Sequence, residues 1–319
     1  MRGMVHGWFL GATISITLGL ATVGCTFKKA EVGTAENPVK LFFVPSVDAK
    51  VIDSNSKIMK EWLEKNTPYK FEIKIPQSYI AVIEAFGSKG ADVAALNTSG
   101  YIKAHEKYGA EARLIVLRHG KKTYQSQFIA KKGRFKTLSD LEGKRVAFVD
   151  AASMSGYLLP LKMLQDAGVK LGGDPIFAMK HDNVVSMVYQ GQTDAGATFY
   201  SPPDEKEGIQ DARRLVRTQY PDVEEKIEIV QLTDEIPNDP IVFRKDLPEE
   251  LKSKLTDAFL AMVKTPEGLE AFKAVYGVTG IERATDADYE SVRQMIAKLG
   301  AVGREAIDKS AAETASGKK

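Results

Sequence analysis

The chain of 319 residues has a single cysteine, Cys25, so no disulfide can form within it and its fold must be held by an apolar core. Its four histidines, His6, His105, His119 and His181, show no metal-ligand spacing, and there is no H-E-x-x-H run. There is no G-x-x-x-x-G-K-[ST] loop either, which removes support for nucleotide hydrolysis, and no G-x-S-x-G frame around a serine nucleophile. The glycines of GVKLGGD, residues 168–174, lack the strand and helix a dinucleotide site requires and read as a loop. Basic excess is missing as well: the formal charge of +2 includes Arg2, so nothing favours nucleic acid as a partner. These absences leave a chain with no enzymatic signature and no call for a cofactor or metal.

One long uncharged run is present, GWFLGATISITLGLATV at residues 7–23, behind a leader whose permanent charge is Arg2. It ends in ATVGC, the pattern of a bacterial lipoprotein signal in which residues 1–24 are removed and Cys25 is acylated. Thr22 departs from the leucine commoner at that position. An uncleaved anchor and ordinary secretory cleavage are the alternatives, although roughly 17 apolar residues is at the short limit for a bilayer span. The expectation is a protein tethered by lipid on the periplasmic side of the cell envelope. Thr26, in place of the aspartate associated with inner-membrane retention, points to the outer membrane in a diderm host.

Residues 25–38 lack apolar periodicity and read as a tether; residues 309–319 read as a flexible tail. The 44% hydrophobic and 27% charged composition suits globular protein, and the length between these ends argues for two domains. Strand-like and amphipathic runs alternate there, predicting α/β architecture with mainly parallel sheets. VKLFFVPS, YKFEIKIP and ADVAALN read as strands with two intervening helices. SQFIAKKG, KRVAFVD, PIFAMKH and TDAGATF begin a second, similar series. The helices after Leu247 have nowhere better to pack than on the first unit, so the chain is expected to cross twice, as a two-strand hinge. The expected lobes are 39–124 plus 236–308, and 125–235.

Within VDAASMSGYLLPLKMLQDAG, Ser153 and Ser155 stand where a strand stops and a helix begins. A helix starting near Ser155 presents unpaired N–H groups and the positive end of its dipole to an anion. The plainer reading is that one serine only caps the helix. Pro160 is accommodated in a first turn, which favours a start close to Ser155.

The order of segments resembles the phosphonate-binding proteins of ABC importers, the PhnD-like family, over nearly all of residues 39–300. IPQSYIAVIEAF, ADVAALN, SMSGYLLP, KHDNVVSMVYQGQTDAGAT and, above all, IPNDPIVFRKDLPEELKSKL carry the likeness. The resemblance implies a two-lobed periplasmic-binding-protein fold, type II-like, closing on a ligand without catalysis. It implies that Tyr79, Ser153, Ser155 and His181 hold the phosphonate group and that Asp239 faces a ligand ammonium. Three positions depart from the pattern: Leu96, beside Asn97, replaces a tyrosine; Met154 replaces the middle hydroxyl of S-T-S-G; and a second carboxylate is lost near Ser201. Tyr200 and Phe199 are expected in the pocket wall, where aromatic and methionine lining suits a more apolar ligand. The implied partners are a small phosphonate-like oxyanion or a more apolar compound, a membrane permease and its ATPase, with the receptor a monomer. A ligand-sensing lipoprotein that partners a sensor kinase is the alternative.

Overall fold

The computed structural model describes Met1, Gly3, residues 30–205 and residues 208–300. The expected signal cleavage site, Cys25 and the tail lie outside the described residues. The described residues from Glu31 to Gly300 form one compact unit.

Its strands are β1 (Val39–Phe43), β2 (Phe71–Lys74), β3 (Val93–Ala95), β4 (Glu111–Leu117), β5 (Thr123–Lys131), β6 (Val146–Phe148), β7 (Ile176–Phe177), β8 (Ala195–Tyr200), β9 (Ile227–Leu232), β10 (Ile236–Pro237), β11 (Pro240–Phe243) and β12 (Gly280–Arg283). The helices are α1 (Ala49–Asn66), α2 (Tyr79–Gly87), α3 (Thr98–Tyr108), α4 (Leu159–Asp166), α5 (His181–Gln190), α6 (Val223–Lys226), α7 (Glu249–Met262), α8 (Pro266–Tyr276) and α9 (Glu290–Lys298). One sheet has the order β12-β4-β11-β3-β1-β2; the other runs β10-β5-β8-β6-β7, with β9 also on β5. Flanked by helices, the two sheets make a two-lobed α/β molecule.

Each sheet contains two parallel and three antiparallel pairings. The expectation of mainly parallel sheets is therefore corrected to mixed sheets. The cause is the double crossing: β4 leads out of the first sheet into β5, and β11 returns to insert between β3 and β4, antiparallel to both. The crossings lie at Arg118–Lys122 and Asn238–Asp239. Ile236–Pro237, which the sequence reading assigns to the first lobe, pairs with Tyr124 and Thr123 in the second sheet. Residues 98–117, given no element by the sequence reading, form α3 and β4.

Alternation along β1 sorts its side chains between two layers. Val39, Leu41 and Phe43 pack with Ile52, Met59 and Leu63 of α1 and with Phe259 and Phe272 of α7 and α8. Phe42 faces the other way, into a cluster with Ile80, Ile83 and Tyr101 that continues through Phe128, Phe148 and Met154 of the second lobe. The apolar core thus runs from one lobe to the other beside the cleft.

Candidate functional site

Local chemistry sets where the site-bearing helices begin. The Ser78 hydroxyl accepts from the Ala81 N–H at 3.3 Å, so α2 starts at Tyr79. The α5 helix opens at His181 and is closed by Gly191, whose φ of 76° suits glycine.

The loop after β6 is more unusual. Ser153 caps it, its hydroxyl accepting from the Gly156 N–H at 3.1 Å. Met154–Leu158 then form a wide turn with i→i+5 bonds, Leu158 N–H to Ser153 O at 3.0 Å and Leu159 N–H to Met154 O, before α4 begins. Pro160 explains the widening, since it has no N–H for the carbonyl of Gly156. That carbonyl accepts instead from Val149 N–H at 3.1 Å, and the Ser155 carbonyl accepts from the Ser126 hydroxyl at 2.5 Å. A side chain at Gly156 would collide with Val149 and stand 2.8 Å from Ser153 Oγ, so this loop needs glycine for its close approach to β6.

The result is a pair of backbone N–H groups, on Met154 and Ser155, without a protein partner among the described residues. Met154 is fully buried and Ser155 nearly so. Buried orphan donors are rare in folded proteins and mark a place for an acceptor. Ser153 caps the loop through its oxygen, and its hydroxyl also bonds to the Tyr79 phenol.

These groups border a cavity between the sheets, with about 60 Å³ available to the centre of a water-sized sphere. One water needs roughly 10–15 Å³ by this measure, so the space suits a small molecule of a few heavy atoms. Tyr79, Leu96, Asn97, Ser153, Met154, Ser155, His181 and Asp239 line it together. Tyr200 and Ser201 do not: alternation along β8 turns Phe199 to the cavity and Tyr200 away, and Ser201 lies past the end of the strand. The expectation of Tyr200 in the pocket wall, and of Ser201 among the ligand-binding residues, is corrected accordingly. Phe199 packs edge-on against His181, ring centroids 4.9 Å apart.

Several lining groups escaped the sequence reading: Arg118, Tyr124, Arg214 and Tyr276. They come from the first crossing, the start of β5, a turn before α6 and the end of α8, and no local motif links them. The one sequence trace of Arg118 is its place directly after the apolar run of β4. Its Nη1 donates to Asn238 Oδ1 at 2.5 Å, its Nη2 to Asp239 Oδ2 at 2.9 Å and its Nε to the Tyr276 carbonyl at 3.0 Å. Its guanidinium also lies 4.9 Å from the Tyr124 ring centroid. Asp239, expected to await a ligand ammonium, is thus already paired through one oxygen. Its Oδ1 is buried with no hydrogen-bond partner among the described residues.

Electrostatics of the lining favour an anion. Burial, with the positive charge of Arg118 adding to it, depresses His181 to about 3, so the imidazole is neutral at physiological pH. Its Nδ1 accepts from Phe199 N–H at 3.4 Å, which places the proton on Nε2 and makes that atom a donor. Burial pushes the Tyr79 and Tyr124 phenols well above their ordinary range, keeping them protonated donors. The Tyr276 hydroxyl is committed to the Val44 carbonyl at 3.0 Å. With two guanidiniums against one carboxylate, the lining has a positive balance and a ring of neutral hydroxyl donors. The Leu96 and Met154 side chains offer no hydroxyl to that ring, although the Met154 backbone N–H remains.

Residues 41–289 match the family model described as ABC transporter, phosphonate, periplasmic substrate-binding protein. The chain is 28% identical over 206 residues to the phosphate-import protein PhnD of Mycolicibacterium smegmatis, covering 59% of this chain and 64% of that one. It is 25% identical over 170 residues to a probable ABC transporter phosphite-binding protein PhnD1 of Prochlorococcus marinus, covering 50% and 57%. These matches span less than two thirds of either relative. The fold superposes on PhnD1 of Prochlorococcus marinus solved in complex with methylphosphonate, with a TM-score of 0.70 at 20% identity, over 82% of this chain and 97% of that one. By the extent of the family match, this chain belongs to the periplasmic phosphonate substrate-binding proteins of ABC transporters.

Proposed function

We propose that the protein is the solute receptor of an ABC importer, taking a small phosphoryl oxyanion (phosphate, phosphite or an alkylphosphonate) between its lobes and presenting it to a permease and its ATPase. One observation carries the ligand class: two buried N–H groups without partners, on Met154 and Ser155, border a cavity that also holds Ser153, Tyr79, Tyr124, neutral His181 and Arg118. An oxyanion supplies the acceptors that these two N–H groups lack. The names of the relatives, which concern phosphate import and phosphite binding, and the methylphosphonate in the similar structure support the same class.

In this reading Tyr79, Ser153, Ser155 and His181 bind the anion, with Met154 contributing its backbone, and Leu96 and Asn97 line the cavity on the first lobe, the side that carries Tyr79. The lobes are residues 39–117 plus 240–300, and residues 123–237, which move about the crossings at Arg118–Lys122 and Asn238–Asp239. Cys25 carries the lipid that tethers a monomeric receptor on the periplasmic side of the envelope, at the outer membrane in a diderm host.

Titration calorimetry of the purified chain with phosphate, phosphite and methylphosphonate tests the reading. Saturable binding of at least one is expected, and Ser155→Ala should weaken it by roughly tenfold or more, the cost of losing a donor to a charged acceptor. Failure of every anion removes the assignment. Fractionation of cells carrying Cys25→Ser tests the anchor, with release from the membrane expected.

A further inference from the structure

We propose that Arg118 is a specificity-determining residue: by pairing with Asp239 it denies the cavity's carboxylate to a ligand ammonium and restricts the site to phosphoryl oxyanions that carry no amine. The inference rests on the oxyanion reading above and narrows it.

Asp239 is the single carboxylate among the lining residues, and so the one full negative charge there to attract an ammonium. Its Oδ2 is held by Arg118 Nη2 at 2.9 Å. Arg118 cannot swing aside without loss, because the same guanidinium donates to Asn238 Oδ1 and the Tyr276 carbonyl and lies over the Tyr124 ring. Its side chain is only 9% exposed, so each broken bond would strand a buried polar group. An ammonium reaching the remaining oxygen, Oδ1, would bring a second cation against this guanidinium, with Arg214 a further positive charge in the lining. A neutral donor such as the hydroxyl of a protonated oxyanion meets Oδ1 without that repulsion. The pair spans the two crossings, so the same contact that sets the charge of the site also fixes one hinge strand to the other.

The test compares 2-aminoethylphosphonate with propylphosphonate, which matches it in size without the charge, and with methylphosphonate, by calorimetry on the full chain in detergent. The wild-type protein should bind propylphosphonate at least tenfold more tightly than the amine. Arg118→Gln should move that ratio at least tenfold towards the amine by freeing Asp239. Asp239→Asn, which preserves shape, should shift the two size-matched ligands by the same factor, because the amine does not use the carboxylate. Preference for the amine in the wild type, an unmoved ratio in Arg118→Gln, or a selective tenfold loss of amine binding in Asp239→Asn overturns the proposal while leaving the oxyanion site intact. Absence of binding by all three, with phosphate and phosphite also silent, overturns the oxyanion reading itself and this inference with it.

Discussion

The backbone N–H of His181, at the start of α5, donates to the carbonyl of Ser46 in the loop after β1 at 3.1 Å, joining the second lobe to the first across the cleft. A second link lies opposite: Asn97 Nδ2 and Ser99 Oγ both donate to the Ala152 carbonyl at 2.7 Å. Ser46, His181 and Asn97 of these links also line the cavity.

Removing the second link should open the cleft. Each hydrogen bond is worth about 1 kcal/mol net, so the double variant Asn97→Ala/Ser99→Ala should lose roughly five- to thirtyfold in anion affinity. Small-angle scattering should show a larger radius of gyration for its ligand-free form, with the thermal midpoint nearly unchanged. Unaltered affinity would show that these bonds do not contribute to closure.

Gly156→Ala should disable the anion loop. The new methyl group must push against Val149 and Ser153, and overpacking of this kind costs about 1–3 kcal/mol. Displacement of the Met154 and Ser155 N–H groups follows, so binding should fall by more than the stability loss alone explains. Calorimetry on the folded fraction, with circular dichroism to measure that fraction, checks it.

Ser126→Ala tests the wide turn from behind. The Ser126 hydroxyl, fully buried, donates its one hydrogen to the Ser155 carbonyl, with the Thr198 carbonyl the more distant acceptor at 3.1 Å. Its loss leaves the Ser155 carbonyl unsatisfied, a penalty of about 1–3 kcal/mol. The urea midpoint should fall with the slope unchanged.

Two buried groups should oppose one another in the pH dependence of stability. Burial first, then Arg118, lowers His181 to about 3, below its unfolded value; between pH 6.5 and that value the unfolded chain binds the extra proton, so stability rises with pH. Burial raises Asp150 to about 6, only partly offset by the bond from Ala152 N–H; between pH 3.8 and 6 the folded chain binds the extra proton, so its contribution falls as pH rises. Each contributes a slope of up to about 1.4 kcal/mol per pH unit. Urea unfolding from pH 4 to 8 should show partial cancellation between pH 4 and 6. His181→Gln should unmask a negative slope there, and Asp150→Asn a positive one. At pH 7.5, Asp150→Asn should also be more stable by about 1–3 kcal/mol, since the buried charge is gone while the bond from Ala152 is kept.

What the sequence determined by itself was local. The apolar run in VKLFFVPS placed β1, hydroxyls marked the cap at Ser153, and Pro160 limited where α4 could start, because each of these effects acts within a few residues of chain. The ordered segments that resemble the phosphonate receptors were enough to indicate both the fold and part of the cavity lining on each lobe: Tyr79 on the first, Ser153, Ser155 and His181 on the second. The widening of the turn was not legible, since it depends on Val149 and Ser126 taking up the carbonyls that Pro160 leaves free. Nor was the mixed direction of the sheets, which follows from β11 returning between β3 and β4. Only the tertiary structure brought Arg118, Tyr124, Tyr276 and Asp239 together, and only it turned Tyr200 away. Side-chain periodicity reports which face of its own element a residue occupies; which faces meet across a cleft is set by where the chain crosses and in what register it returns.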